Sequence, residues 1–156
     1  VCLFERDGET RVLYTRRTDT VATHRGQISF PGGAREPHDA NIHETALRET
    51  FEEIGLAPEG VELLGELDDH VTISNYLVTP VVAWLDAPPP AFTPRPEEVA
   101  EVIEIPLAVL RDPARFKEED IVWLGEPKRM YTFETGPAVV WGLTARITFE
   151  LLGVLS

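Results

Sequence analysis

Two short apolar runs separated by a polar turn open the chain. Residues 1–4 and 11–15 carry the aliphatic and aromatic side chains of a strand pair, and Asp7-Gly8 between them tolerates the positive φ of a tight turn, so a β-hairpin is expected. Residues 16–26 carry no period, and the apolar step at 28–30 runs into Pro31-Gly32-Gly33, which no regular element absorbs. A shaped loop is expected there. Asn41 is placed to cap a helix, Glu44 stands in capping-box position, and Gly55 is placed to end the helix just beyond Ile54.

Runs rich in Val, Ile and Leu at 61–64, 77–85 and 99–105 predict further strands, with Pro80 marking an edge or a bulge. Residues 121–124 and 130–133 predict a second hairpin around Gly125-Glu126-Pro127. Trp141, Ala145, Thr148 and Leu152 recur at helical spacing and predict a closing helix. Between 86 and 97 five of twelve residues are proline, a stiff extended stretch that reads as a surface loop because the remaining chain is short for a second domain. The expectation is one mixed α and β domain over residues 1–156.

Composition narrows the function classes. With 43% apolar and 26% charged residues in 156, the chain is of ordinary globular type, and no apolar run approaches the ~20 residues of a spanning helix. No basic, apolar leader opens the sequence, and Val1 is not an initiator methionine, so an upstream segment stays open. The 27 acidic residues against 14 basic ones leave a net charge of −13, which argues against nucleic acid as a partner. A single cysteine, Cys2, and the lack of any zinc-type spacing point to a reducing, cytoplasmic setting, with Cys2 a small core residue. A membrane partner is not expected.

The first helix carries the chemistry. At 100° per residue Glu49, Glu52 and Glu53 fall within about a 100° arc, opposite Leu47, Phe51 and Ile54, which are expected to face the core. A solvated acidic stripe is one reading of this pattern. Like charges at i, i+4 repel, however, and Arg48, four residues before Glu52, offers the local relief. A divalent cation relieves the repulsion better, and hard oxygen ligands suit Mg²⁺ or Mn²⁺ completed by substrate phosphates.

From Gly33 to Leu56 the chain resembles the signature of the Nudix hydrolases, G-x5-E-x7-R-E-U-x-E-E-x-G-U. The run from Arg48 to Leu56 matches except for Thr50, where a large aliphatic residue is usual. Asp39 stands where the first glutamate is expected, with eight residues rather than seven before Arg48, which puts its role in question. The resemblance implies a Nudix fold, an α/β/α sandwich around a mixed β-sheet. It also implies Glu49 and Glu53 as metal ligands, Glu52 as a third ligand or the base that takes water's proton, and Glu98 as a downstream candidate for that base.

A second likeness narrows the branch. Residues 13–18, then His24-Arg25-Gly26-Gln27-Ile28-Ser29-Phe30-Pro31-Gly32-Gly33, resemble the motif preceding the Nudix box in coenzyme A pyrophosphatases, and 98–102, 105–107 and 141–147 are similar to later segments of that group. An arginine expected a few residues before His24 is lacking. The implied reaction is metal-dependent hydrolysis of the coenzyme A diphosphate to adenosine 3′,5′-bisphosphate and 4′-phosphopantetheine. Implied substrate contacts are Arg17, His24, Arg25, Gly32, Gly33 and Arg48, with Arg17 expected to read the 3′-phosphate. A homodimer is left open, as are two alternatives: a Nudix activity on ADP-ribose, a dinucleotide or a nucleoside triphosphate, and a non-catalytic nucleotide sensor. His38, His43 and His70 are expected at the surface; Tyr131, Phe133 and Trp141 are expected in the core.

Overall fold

Alternation along the first strands decides the layering. The computed structural model describes residues 1–19, 26–72 and 74–156. Strands β1 (Cys2–Arg6) and β2 (Glu9–Arg17) form the expected hairpin, with Asp7 and Gly8 both at positive φ (54° and 76°), the turn whose twist matches that of paired strands. Strand β3 (Ile28–Ser29) pairs with the end of β2, and the glycine loop leads from it to helix α1 (Ile42–Ile54). There follow β4 (Val61–Glu66), a small ribbon of β5 (His70–Val71) and β6 (Leu77–Val78), and then β7 (Val81–Leu85). Strand β8 (Val99–Pro106) runs into the single turn α2 (Leu107–Leu110). A second sheet of β9 (Phe116–Trp123), β10 (Glu126–Glu134) and β11 (Val139–Trp141) precedes helix α3 (Gly142–Val154).

In the main sheet β8 lies along one edge of β2, and β1 and β3 share the other; β7 and β4 continue outward. The β1–β7 pair is parallel and the other pairs are antiparallel, which makes the sheet mixed. Leu3, Val12, Tyr14 and Ile105 point to one face and join Ala145 and Leu151 of α3 in one core. Cys2, Phe4, Leu13 and Leu85 point to the other and join Ile54 of α1 and Leu56 in a second. Helices thus cover both faces, as the sandwich expectation required. Among the described residues no helix is long and apolar enough to cross a membrane.

Several expectations need correction. The run 77–85 is two strands, since Pro80 has no N–H for the ladder and its carbonyl accepts from Leu67 N at 2.9 Å instead. The late hairpin turns at Leu124-Gly125, both at positive φ (52° and 85°), and begins earlier, at Phe116. Phe116, Tyr131 and Phe149 of α3 stack along it, with ring centroids 5.0 to 5.9 Å apart. Phe133 is core as expected, but Trp141 sits half exposed just before α3. His70 is buried rather than superficial, its Nε2 lying 3.0 Å from a Glu150 carboxylate oxygen.

The largest correction concerns α1. Its inward positions are Thr45, Thr50, Glu53 and Ile54, whereas Phe51, expected in the core, is 53% exposed. The helix turns part of its acidic arc toward the body of the protein. Periodicity assigned the apolar side inward because burying carboxylates is ordinarily costly.

Candidate active site

Helix α1 is held at both ends by its own sequence. Asn41 Oδ1 accepts from Glu44 N at 3.0 Å, and the Glu44 carboxylate accepts from Ala40 N at 2.8 Å, a capping box displaced by one residue. Gly55, at φ 70°, closes the far end by donating to the Phe51 carbonyl at 2.9 Å. The proline-rich loop then supplies donors to the last turn: Thr93 N reaches the Ile54 carbonyl at 2.9 Å and Arg95 N the Glu53 carbonyl at 2.8 Å. That docking also brings Glu98 to the side of the helix. The loop is therefore a fitted end-piece of α1 as well as a connection.

Asp39 gains a clear role. Only 4% exposed, it accepts from Arg48 Nε and Nη2 at 2.9 and 3.0 Å, from Glu36 N at 2.8 Å and from the Thr45 hydroxyl at 2.9 Å. The bidentate Arg48 pair, with the other donors behind it, holds this carboxyl well below the usual carboxylate range. The extra residue in the loop has been absorbed, and a shorter acid reaches the arginine. Arg48, expected at the substrate, spends its remaining donors on Glu49 at 3.0 Å, on Glu52 at 3.3 Å and on the Ala34 carbonyl at 3.1 Å. It holds the loop to the helix. Sequence spacing alone had left Asp39 unplaced; the signal that finds it is an acid near the motif position combined with an arginine needing an in-plane partner.

Two of the predicted ligands converge on the glycine loop. Gly32 N donates to Glu53 Oε2 at 3.1 Å. A Cβ on Gly33 would lie 2.5 and 2.6 Å from the Glu49 carboxylate oxygens, so that position has room only for glycine while Glu49 keeps its place. Glu52 is exposed on the outer rim of the arc, in the i, i+4 pair with Arg48 expected from the sequence. Among the described residues no three or more His, Cys, Asp or Glu side chains gather closely enough to cage a cation. A pair of carboxylates is nevertheless a fitting donor set for Mg²⁺, which keeps several waters and takes the rest of its ligands from phosphates.

The electrostatics support that fit. Burial, then the nearby Glu49 and Glu98 charges, push Glu53 up to about 7, against the Gly32 hydrogen bond. Glu49 is also raised, mostly by burial, with Glu52 and Glu98 adding to it. For Glu49 burial outweighs the Arg48 ion pair at 3.0 Å, and Glu53 has no ion-paired cation among the described residues. Arg17 is a cation whose charge opposes this rise at Glu53. A bulge between Arg16 and Arg17 in the β2–β8 ladder separates the two arginines: Arg16 pairs with Glu101 at 3.1 Å, while the charge of Arg17 acts on Glu53 of α1. Its buried Nε finds no hydrogen-bond partner among the described residues. His24 and Arg25, also expected at the substrate, lie outside the described residues.

Comparison with known proteins bears on this arrangement. Nudix hydrolase 22, a chloroplastic protein of Arabidopsis thaliana, is 40% identical over 161 residues, covering 99% of this chain and 53% of its own length. The chain thus spans about half the length of that relative. A protein described as uncharacterized Nudix hydrolase NudL, from Pectobacterium atrosepticum, is 41% identical over 140 residues, covering 90% of this chain and 72% of its own. The fold is similar to that of a MutT/nudix family protein from Enterococcus faecalis (TM-score 0.60, 17% identity, 99% of this chain and 60% of that one). It is also similar to an Ap4A hydrolase of C. elegans in a binary complex (TM-score 0.57, 17% identity, 67% and 74% covered). The NUDIX domain signature itself matches residues 1–124, from β1 through the glycine loop and α1 to the end of β9. So continuous a match, over the elements that build the carboxylate pair, means that the chain belongs to the NUDIX domain family.

Proposed function

We propose that the chain hydrolyses the diphosphate of coenzyme A, with Mg²⁺ or Mn²⁺ held by Glu49 and Glu53. The observation that carries the hydrolytic part is the carboxylate pair against Gly32 and Gly33, with Glu53 buried and pushed up to about 7 and half-buried Glu49 raised despite its ion pair with Arg48. The coenzyme A part rests on residues 13–18 and 24–33, which resemble the corresponding motif of coenzyme A pyrophosphatases. A bound Mg²⁺ or Mn²⁺ supplies neutralisation of the phosphate oxygens and a lowered pKa for the attacking water.

The chain's own groups do the remaining work. Asp39 and Arg48 fix the loop and the helix against each other, so that Glu49 and Glu53 keep a constant separation. Arg17, beside Glu53 and with an unspent Nε, is assigned to a diphosphate oxygen rather than to the 3′-phosphate. Glu98, paired with Arg95 at 3.2 Å yet near enough to raise both carboxylates, is assigned as the acceptor of water's proton; Glu52, which acts on Glu49 alone, is not.

A substrate panel with products identified by mass tests this reading. Coenzyme A, its dephospho form, ADP-ribose, a dinucleotide polyphosphate and a nucleoside triphosphate are compared at saturating Mg²⁺. Adenosine 3′,5′-bisphosphate and 4′-phosphopantetheine are the expected products. Preferred turnover of another member reassigns the substrate within the family, and metal-dependent turnover of none leaves the non-catalytic reading standing.

A further inference from the structure

The loop that meets Glu49 and Glu53 also forms one wall of a cleft of about 600 Å³. Its other walls come from α1 through Ala46 and Leu47, from β4 and β6 through Leu63 and Val78, and from α3 through Ile147. The volume lies within the roughly 300–1,000 Å³ of small-molecule pockets. Its chemistry is restrictive, because most of its walls are carbon and most of their polar side chains are already spent within the protein, the hydroxyl of exposed Tyr76 being an exception. Thr45 donates to Asp39 at 2.9 Å, Thr50 to the Ala46 carbonyl at 2.7 Å and Thr144 to the Ile28 carbonyl at 3.2 Å. Arg35 donates to the Asp39 and Ala40 carbonyls at 3.1 and 3.0 Å. A charged group entering the cleft would lose its water and, away from exposed Arg35, find little in exchange. An uncharged chain in which carbon stretches alternate with a few amides buries its carbon surface against these walls and has Tyr76 and Arg35 as polar neighbours.

We propose that this cleft holds the uncharged chain carried on the substrate's diphosphate, which on the functional reading above is the pantetheine arm of coenzyme A. The inference rests on that reading. Continuity supports it: Gly32 and Gly33 line the cleft, and the same residues meet the carboxylates, Gly32 by its N–H and Gly33 by close approach. A diphosphate lying over Glu49 and Glu53 therefore has a passage for its arm along the loop.

The test fills the cleft from two places outside the carboxylate site. Val78→Trp does so from β6, and Leu63→Trp, at a partly exposed position on β4, does so with little demand on folding. Thermal midpoints establish which variants are folded. For each, KM for coenzyme A is compared with the inhibition constant of adenosine 3′-phosphate 5′-diphosphate, which is coenzyme A without its arm. Expected is at least a tenfold rise in KM with the inhibition constant unchanged within twofold. Equal rises in both mean that the substitution disturbs the diphosphate site and overturn the assignment. No change in either, in a folded variant, places the arm elsewhere and overturns it too, as does loss of a dimer on gel filtration, which makes a second copy the occupant. Failure of the unsubstituted chain to hydrolyse coenzyme A at all refutes the functional reading instead, before any variant is compared.

Discussion

Replacing Glu53 by Gln separates what this carboxylate costs the fold from what it does for catalysis. In the folded protein Glu53 is raised from 4.5 to about 7, so between those values the folded state binds a proton that the unfolded state has released. The neutral form is therefore the stabilising one. Its contribution is complete below pH 4.5 and is lost as pH rises through 7. A rise of that size, at 1.36 kcal/mol per pKa unit, corresponds to roughly 3 kcal/mol of destabilisation by the charged form at pH 8.5. The figure already contains the opposing Gly32 hydrogen bond. Gln keeps the shape and stays neutral, so Glu53→Gln removes the penalty. Urea unfolding in EDTA at pH 5 and pH 8.5 measures it. The stability advantage of the variant should grow by about 2 to 3 kcal/mol between the two, or roughly 5–10 °C in Tm for a chain of this size. Added Mg²⁺ should raise Tm of the unsubstituted protein and do little for the variant, whose turnover should nearly vanish. A variant no more stable at pH 8.5 than its parent, or one with near-normal turnover at saturating Mg²⁺, would refute the reasoning.

Gly33→Ala places a methyl group against the flexible end of Glu49, so circular dichroism and Tm should change little while kcat/KM falls at least tenfold, and normal kinetics would show that Glu49 is free to move. Asp39→Asn removes the charge from the bidentate Arg48 pair; a lower Tm and an at least tenfold loss of kcat are expected, and an unaltered Mg²⁺ dependence would place the pair outside the metal site's support. Arg17→Ala should lower kcat/KM by roughly ten- to a hundredfold for coenzyme A and its dephospho form alike, as a desolvated phosphate contact of about 1.5–3 kcal/mol requires. A loss confined to coenzyme A returns Arg17 to the 3′-phosphate.

Much of the local structure is written in short-range signals. Asp7-Gly8 specifies the first turn, Asn41, Glu44 and Gly55 bound α1, and the motif spacing from Arg48 to Gly55 marks the acidic arc, because caps and turns depend on residues a few positions apart. The same locality explains the misreadings. A one-dimensional period cannot tell which side of an amphipathic helix the tertiary structure buries, so Phe51 was turned inward and Glu53 outward, the reverse of their positions. Asp39 could not be matched to Arg48 until the loop between them was folded. Glu98 reaches Glu49 and Glu53 because the proline-rich loop docks on the end of α1, a contact between segments about forty residues apart. Short-range signals thus set which acids and bases stand near the glycine loop along the chain. Which of them converge depends on packing between distant segments: rotation of α1 brings Glu49 and Glu53 onto Gly32 and Gly33, and leaves Glu52 exposed on the outer rim.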